Sequence, residues 1–266
     1  NRIILNNRSV KESSYLSNKE QQQAKERILN ASIQLFSQKG YDGTRVSEIA
    51  EVANVTKALI YYYFKSKEEI LDHLVHSLLE NATAITMDFI HTNIVQMIKD
   101  GRLDILPDRL HFADNEAIQC FLENAQGYFE RVLDYVLEYR QILRILMLES
   151  LKDSKHRSEL FQLMDFTLNK EENLIFKTIS EADQDFSYSP DLLIFNFFYT
   201  ICPLVNFAVY FDDYQAMSSL SGEQLRAAFL RSSQIVFRSL VVGRDILLKN
   251  NGLELKNQVC NLKVGI

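Results

Sequence analysis

Eight glycines and three prolines are the only obligate turn-formers in 266 residues. A many-stranded sandwich or barrel needs turn signals roughly every 8–12 positions, and this chain cannot supply them. Helices need far fewer interruptions. Apolar residues recur at steps of three and four, first at Ala24, Ile28, Ala31 and Leu35, as one face of a helix requires. The expectation is an all-α protein. With 47% hydrophobic and 24% charged residues, neither disorder nor a fibrous repeat explains the whole chain. The length suffices to bury a core without disulfide or metal staples.

The net charge of −6 conceals a division. Residues 1–67 carry 11 Lys+Arg against 6 Asp+Glu, and the remainder carries 18 against 29. A basic head on an acidic body is a mark of nucleic-acid contact at one end of a chain.

The basic part reads as three helices. The first runs from Lys19, with Phe36 broadening its apolar stripe and Gly40 placed as a left-handed stop. Asp42, Gly43 and Thr44 form a turn, with Thr44 set to cap the second helix, Arg45 to Ala53. Val46, Ile49, Ala50 and Ala53 are its inner face, and Ala50 is small enough for a close helix crossing. Asn54 follows, a residue that tolerates the left-handed region. The third helix runs from Thr56 to about Phe64, with Val55, Ile60, Tyr63 and Phe64 read as core. Two short helices meeting at such a corner are a helix-turn-helix.

Ser66 and Glu69 make a capping box for a long helix from Lys67 to about Ile98. Residues 100–116 read as a loop around Gly101 and Pro107. Helical patterns follow over about 117–150, 155–183, 190–211 and 222–248, without an internal repeat. The division is thus an N-terminal arm (1–18), the helix-turn-helix (19–66), a helical body (67–249) and a polar tail (250–266). The arm is either an idle tail or an arm entering a minor groove. Leu192 to Phe211 is long and apolar enough to raise a membrane span. Asn196, Thr200, Pro203 and Asn206 interrupt it, which favours burial in protein, without membrane association.

Residues 28–71, ILNASIQLFSQKGYDGTRVSEIAEVANVTKALIYYYFKSKEEIL, resemble the DNA-binding domain of the TetR/AcrR family of transcriptional repressors. Gly-Tyr-Asp-Gly-Thr, the Ile-Ala pair, Tyr-Tyr-Tyr-Phe and Lys-Glu-Glu carry the likeness. Two positions depart from the family: Asn54 stands where Gly is usual, and Ala58 replaces the Gly of the recognition helix. The added methyl at Ala58 offers a contact for a thymine methyl. The resemblance implies that Thr44 and Arg45 meet phosphates. It places Thr56, Lys57 and Ala58 in the turn that reaches base edges, Lys57 as a guanine reader, Tyr61 and Tyr62 on the groove wall, and Lys67 on the far backbone.

The resemblance further implies a homodimer on double-stranded operator DNA and a small-molecule effector, apolar or aromatic, bound by the body. Regulation is expected to be repression relieved by the effector, with a ligand-dependent activator or co-repressed regulator as the alternative. Effector candidates are Phe166, Asn196, Tyr199 and Thr200, since polar groups on an apolar helix need a partner. That partner is a ligand or another such group across the dimer. Phe207, Leu225, Phe229, Val236 and Leu240 are the candidate dimer stripe. Cys120, Cys202 and Cys260 fit neither a disulfide framework nor a zinc site, which suits a reducing cytoplasm. His73 and His76, three apart, read as a solvated face. No phosphate loop, nucleophile elbow or metal motif stands out. The chain is therefore expected to be neither an enzyme nor dependent on a cofactor.

Overall fold

The computed structural model of the chain describes residues 2–106, 109–150, 173–184, 186, 194 and 196–242; for residues 2–20, Arg109, Asn196 and 237–242 it describes the backbone alone. In chain order the elements are α1 (Arg2–Gly43), α2 (Val46–Val52), α3 (Lys57–Tyr63), α4 (Lys67–Phe89), a π-helical turn (Ile90–Val95) and α5 (Gln96–Lys99). Then come β1 (Leu103–Leu106), β2 (Arg109–Phe112), α6 (Asn115–Glu138), α7 (Arg140–Ser150) and α8 (Leu174–Ala182). A second π-helical stretch (Asn196–Ile201), α9 (Cys202–Val209), α10 (Phe211–Met217) and α11 (Gly222–Val242) complete the described chain. Two compact units result, residues 1–83 with 136–163 and residues 84–135 with 164–266.

The core of the first unit follows the apolar stripe read from α1. Ala24, Ile28, Ala31, Leu35 and Phe36 are all buried, with Ile49, Ala50, Ala53, Ile60 and Phe64 closing on them. Ser32 is buried in the same stripe, and its hydroxyl donates to the Ile28 carbonyl at 2.8 Å, so no polar group is stranded. α7 packs on α1 through a face that buries Ile142, Leu143, Ile145 and Leu146. The backbone is helical from Arg2, earlier than the start expected at Lys19.

The second unit departs more from the sequence reading. Residues expected to be a loop hold an antiparallel hairpin in the register Leu103–Phe112 to Leu106–Arg109. Leu103 and Ile105 are buried and Asp104 and Leu106 exposed, the period-2 alternation of a half-buried strand. Strands four residues long, bracketed by Gly101, Pro107 and charges, leave that alternation hard to see in sequence. Gly101 has φ 66, and the Arg102 N–H to Met97 carbonyl bond (2.8 Å) with Gly101 N–H to Ile98 (3.0 Å) closes α5 as a Schellman motif.

The single helix expected over 117–150 is broken between Glu138 and Arg140. No glycine or proline marks that break, so the periodicity ran on through it. The long helix expected to Ile98 changes to π geometry at Ile90. α8 packs against that π turn, and Asn173 caps α8 by accepting from the Ile175 amide at 2.9 Å. The helical pattern expected over 155–172 lies outside the described residues, as does the tail from 250.

No helix among the described residues is long and apolar enough to cross a membrane. In the candidate span, Leu204, Val205, Ala208 and Val209 are buried, whereas Phe198 and Tyr199 are exposed.

Candidate nucleic-acid interface

α1 is broken short of its last turn because Gly40 takes φ 77 and ψ 162, a positive-φ conformation that an L side chain resists. The chain then turns back on itself. The Thr44 hydroxyl donates to the Gly40 carbonyl at 2.9 Å and the Thr44 N–H to the Tyr41 carbonyl at 3.2 Å. Thr44 is only 2% exposed. Its side chain therefore does not cap α2, contrary to the sequence reading. The N-cap is Arg45, whose N–H donates to Glu48 Oε2 at 2.9 Å. Glu48 also accepts from Lys39 Nζ at 2.7 Å, and these bonds hold its carboxyl below the usual range.

The corner between α2 and α3 is built as the sequence suggested. Asn54 adopts φ 52, the Asn54 N–H donates to the Glu51 carbonyl (3.1 Å) and the Val55 N–H to the Ala50 carbonyl (3.0 Å). This is a Schellman motif with asparagine in the glycine position. Arg27 of α1 reaches across and donates from Nε to the Ala53 carbonyl at 3.2 Å. Thr56 then caps α3 by accepting from the Leu59 amide at 3.2 Å.

α3 buries Ile60 and turns Lys57, Ala58, Tyr61 and Tyr62 outward. Spacings of one, four and five residues put these four on one side of a helix. Tyr61 is 49% exposed and Tyr62 69%, high values for large rings on a small head. Lys57 Nζ lies 5.8 Å from the Tyr61 ring centre. Tyr63 instead turns back, donating from its hydroxyl to the Gln21 carbonyl at 2.9 Å, and Phe64 is buried. Of the eight residues proposed from sequence for DNA contact, Arg45, Thr56, Lys57, Ala58, Tyr61 and Tyr62 are exposed.

Lys67, assigned by the resemblance to the far DNA backbone, is bonded within its own chain. It is half-buried, and its Nζ donates to the Tyr41 carbonyl at 2.6 Å and the Thr44 carbonyl at 2.9 Å. The ammonium also lies 4.1 Å from the Tyr41 ring centre. Burial, then the carboxylates of Glu68, Asp72, Asp42 and Glu149, push the Tyr41 phenol up to about 12. Lys67 thus faces inward, to the backbone that precedes α2. The capping box at the head of α4 is half as expected. Ser66 Oγ accepts from the Glu69 amide at 3.2 Å, but Glu69 Oε2 accepts from the Lys65 amide.

The residues proposed for the body are less united. Phe229 stacks on Phe207 with ring centres 4.1 Å apart and on Phe129 at 6.2 Å, while Leu225 is buried. These three members of the expected dimer stripe are packed within their own chain, whereas Val236 and its neighbour Ile235 are exposed. The Leu240 side chain lies outside the described residues. Tyr199 is exposed and Thr200 half-exposed, with Phe166 and the Asn196 side chain outside the described residues. A cavity of about 340 Å³ lies between α6 and α11, with Leu122, Phe129 and Leu230 as apolar walls and Gln119, Gln126 and Gln234 among its polar groups. Neither Tyr199 nor Thr200 lines it. The periodicity of α6 was the signal that could have nominated Phe129.

Elsewhere in the second unit, Tyr128 donates or accepts at Thr86 Oγ1 (3.0 Å) and stacks on Phe89, and burial pushes its phenol up. Among the described residues, no group of three or more His, Cys, Asp or Glu is placed to hold a metal ion. His76 pairs with Glu80 at 3.1 Å, and His73 lies against the Phe64 ring with its ionisation held low by burial and by Lys25.

Residues 28–74, from the middle of α1 into α4, match the model for bacterial regulatory proteins of the tetR family. By this match the helix-turn-helix region is similar to that of the TetR family. Its TetR match contains all eight residues proposed for DNA contact. Among curated relatives, the Bacillus subtilis (strain 168) protein named Probable HTH-type transcriptional regulator YttP is 37% identical over 92 residues, 34% of this chain and 44% of that one. The Uncharacterized HTH-type transcriptional regulator YvkB of the same organism is 30% identical over 139 residues, 47% and 65%. The Staphylococcus epidermidis biofilm operon icaADBC HTH-type negative transcriptional regulator IcaR is 41% identical over 69 residues, 26% and 35%. Each match spans less than two thirds of the relative's own length.

Proposed function

We propose that this chain is a TetR-family regulator, a dimeric DNA-binding repressor released from a palindromic operator by a small-molecule effector. One observation carries the reading. The outward face of α3 holds Lys57, Ala58, Tyr61 and Tyr62 on a capped, seven-residue helix whose inner face is locked into the head. Lysine reads guanine edges, a methyl meets thymine, and tyrosines bond phosphate or line a groove wall. Arg45 and Lys65, both exposed, add positive charge beside it.

Dimerisation answers the need to place two such helices on half-sites about 34–36 Å apart. The exposed Ile235 and Val236 of α11 support it. The sign of regulation is taken from the relative named a negative regulator. Release requires the effector to bind the DNA-incompetent form more tightly than the competent one. A coupling of about 1–3 kcal/mol shifts operator affinity ~5–150-fold. α4 is the natural lever, because one helix runs from the head's capping box at Ser66 into the second unit. The head of this account is residues 19–66, and the effector and dimer functions fall to 67–249.

The test is selection of genomic fragments by the purified full chain, then footprinting at about 150 mM salt, where non-specific binding is weak. A short palindromic footprint is the expected result. Folded protein that enriches no sequence contradicts the reading.

A further inference from the structure

We propose that the cleft between α6 and α11 is the effector site of this chain, and that its ligand is an organic cation, an apolar body ending in an ammonium group. The inference rests on the regulator reading and names where the effector binds and what charge it carries.

The cleft follows from how α6 and α11 are joined. Arg226 donates from Nε and Nη2 to the two carboxylate oxygens of Asp134 at 2.5 and 2.8 Å, a bidentate clamp. Further along, Phe129 stacks on Phe229. The contacts advance on α11 as they recede on α6, so the two helices run antiparallel. Beyond that stack, the stretch from Gln119 to Gln126 and the stretch from Leu230 to Gln234 enclose the cavity of about 340 Å³. That volume lies in the range of small-molecule sites. Phe129, 5% exposed, forms its apolar part together with Leu122 and Leu230.

The polar walls are better supplied with acceptors than with donors. Ser233 spends its one hydroxyl proton on the Phe229 carbonyl at 2.8 Å, and Gln126 gives an amide N–H to Glu130 Oε1 at 3.1 Å. The oxygens of both side chains are left to accept. Glu123 is the one ionisable side chain among the described residues that line the cleft, and no Lys, Arg or His is among them. Glu116, Glu123 and Glu130 recur at intervals of seven, which sets three carboxylates along one side of α6. Arg226, the cation on the facing helix beside Asp134, is already committed to that carboxylate. Residues 68–266 carry 29 Asp+Glu against 18 Lys+Arg, a field that draws cations toward the body. A carboxylate or phosphate in the cleft would face like charge and meet acceptors it cannot answer. An ammonium brings the donors and the charge that the walls lack.

The test uses three probes on one skeleton, phenylbutylammonium, phenylbutanol and phenylbutyrate, titrated calorimetrically into the purified full chain without DNA. The ammonium is expected to bind about tenfold tighter than the butyrate, with the alcohol between them. Glu123→Gln, at an exposed helix position, is expected to weaken the ammonium about threefold or more and to leave the alcohol within about twofold. Ser233→Trp fills the cleft and is expected to abolish binding of all three, with helix content checked by circular dichroism. The proposal is overturned by a butyrate that binds as tightly as the ammonium, by an ammonium affinity indifferent to Glu123→Gln, or by binding that survives Ser233→Trp in folded protein. It is overturned equally if the wild-type chain binds no ammonium at millimolar concentration.

A second titration adds the ammonium to the chain bound to its most enriched genomic fragment. Release over the concentrations that fill the cleft, absent in Ser233→Trp, is the expected result; binding without release overturns the effector assignment. A wild-type chain that enriches no fragment contradicts the regulator reading instead, and that failure is distinguishable because the first titration contains no DNA.

Discussion

In the first unit, the residues that shape the candidate interface are held by side chains bonded to nearby backbone. Thr44 bonds Gly40, Thr56 bonds Leu59, Arg27 bonds Ala53, and Lys67 bonds Tyr41 and Thr44. In the second unit, Phe207 and Phe229, both assigned to the dimer stripe, are placed by ring-on-ring packing between helices distant in sequence. Phe129, Phe207 and Phe229 form one stack. Backbone-directed bonds fix orientation residue by residue, which suits a surface that must match a rigid groove. Aromatic packing fixes volume and leaves individual positions adaptable.

The contrast can be broken most forcefully at the core of the first unit. Phe36 is fully buried, and Phe36→Ala is expected to cost about 3–5 kcal/mol in urea unfolding. Phe229 is the middle ring of the stack but only half-buried. Phe229→Ala should cost less, about 2–3 kcal/mol, and leave the affinity for selected DNA at fixed salt little changed if the stack serves only the second unit. A Phe229 variant more destabilised than the Phe36 variant would reverse the ranking. Gly40→Ala forces an L side chain to φ 77 and is expected to cost about 1–3 kcal/mol, whereas Asn54→Gly should fall within about 0.5 kcal/mol of wild type. A loss smaller than that at Gly40 is expected at the α3 cap. Thr56→Ala loses the bond to the Leu59 amide, about 1 kcal/mol by thermal melting.

The same contrast explains what the sequence disclosed. The stripe Ala24, Ile28, Ala31, Leu35 and the corner at Asn54 are local rules, each contained within a few residues, and both are present. Thr44 was placed one residue from the true cap because Ser and Thr favour that position, whereas here the hydroxyl closes the broken end of α1. The intrachain bonds of Lys67 were not legible, since its carbonyl partners lie 23 and 26 residues earlier in the chain. Sequence spacing carries no sign of that reach. The hairpin at 103–112 was hidden by its brevity, and the break at Tyr139 by the absence of any glycine or proline. Phe207, Leu225 and Phe229 were assigned to a dimer stripe, and here they pack within their own chain. What the stripe covers depends on a helix nearly a hundred residues away in the chain, which periodicity does not encode.

The central claim is that the outward face of α3 reads base sequence. The most direct measurement is a panel of single base-pair substitutions across the selected site, titrated with wild type and Lys57→Ala at one salt concentration. The account expects Lys57→Ala to lose discrimination at one base pair of each half-site, by about 1–3 kcal/mol, and to keep it elsewhere. An equal loss of affinity on every substituted site would contradict the reader role of Lys57 and leave α3 a backbone contact alone.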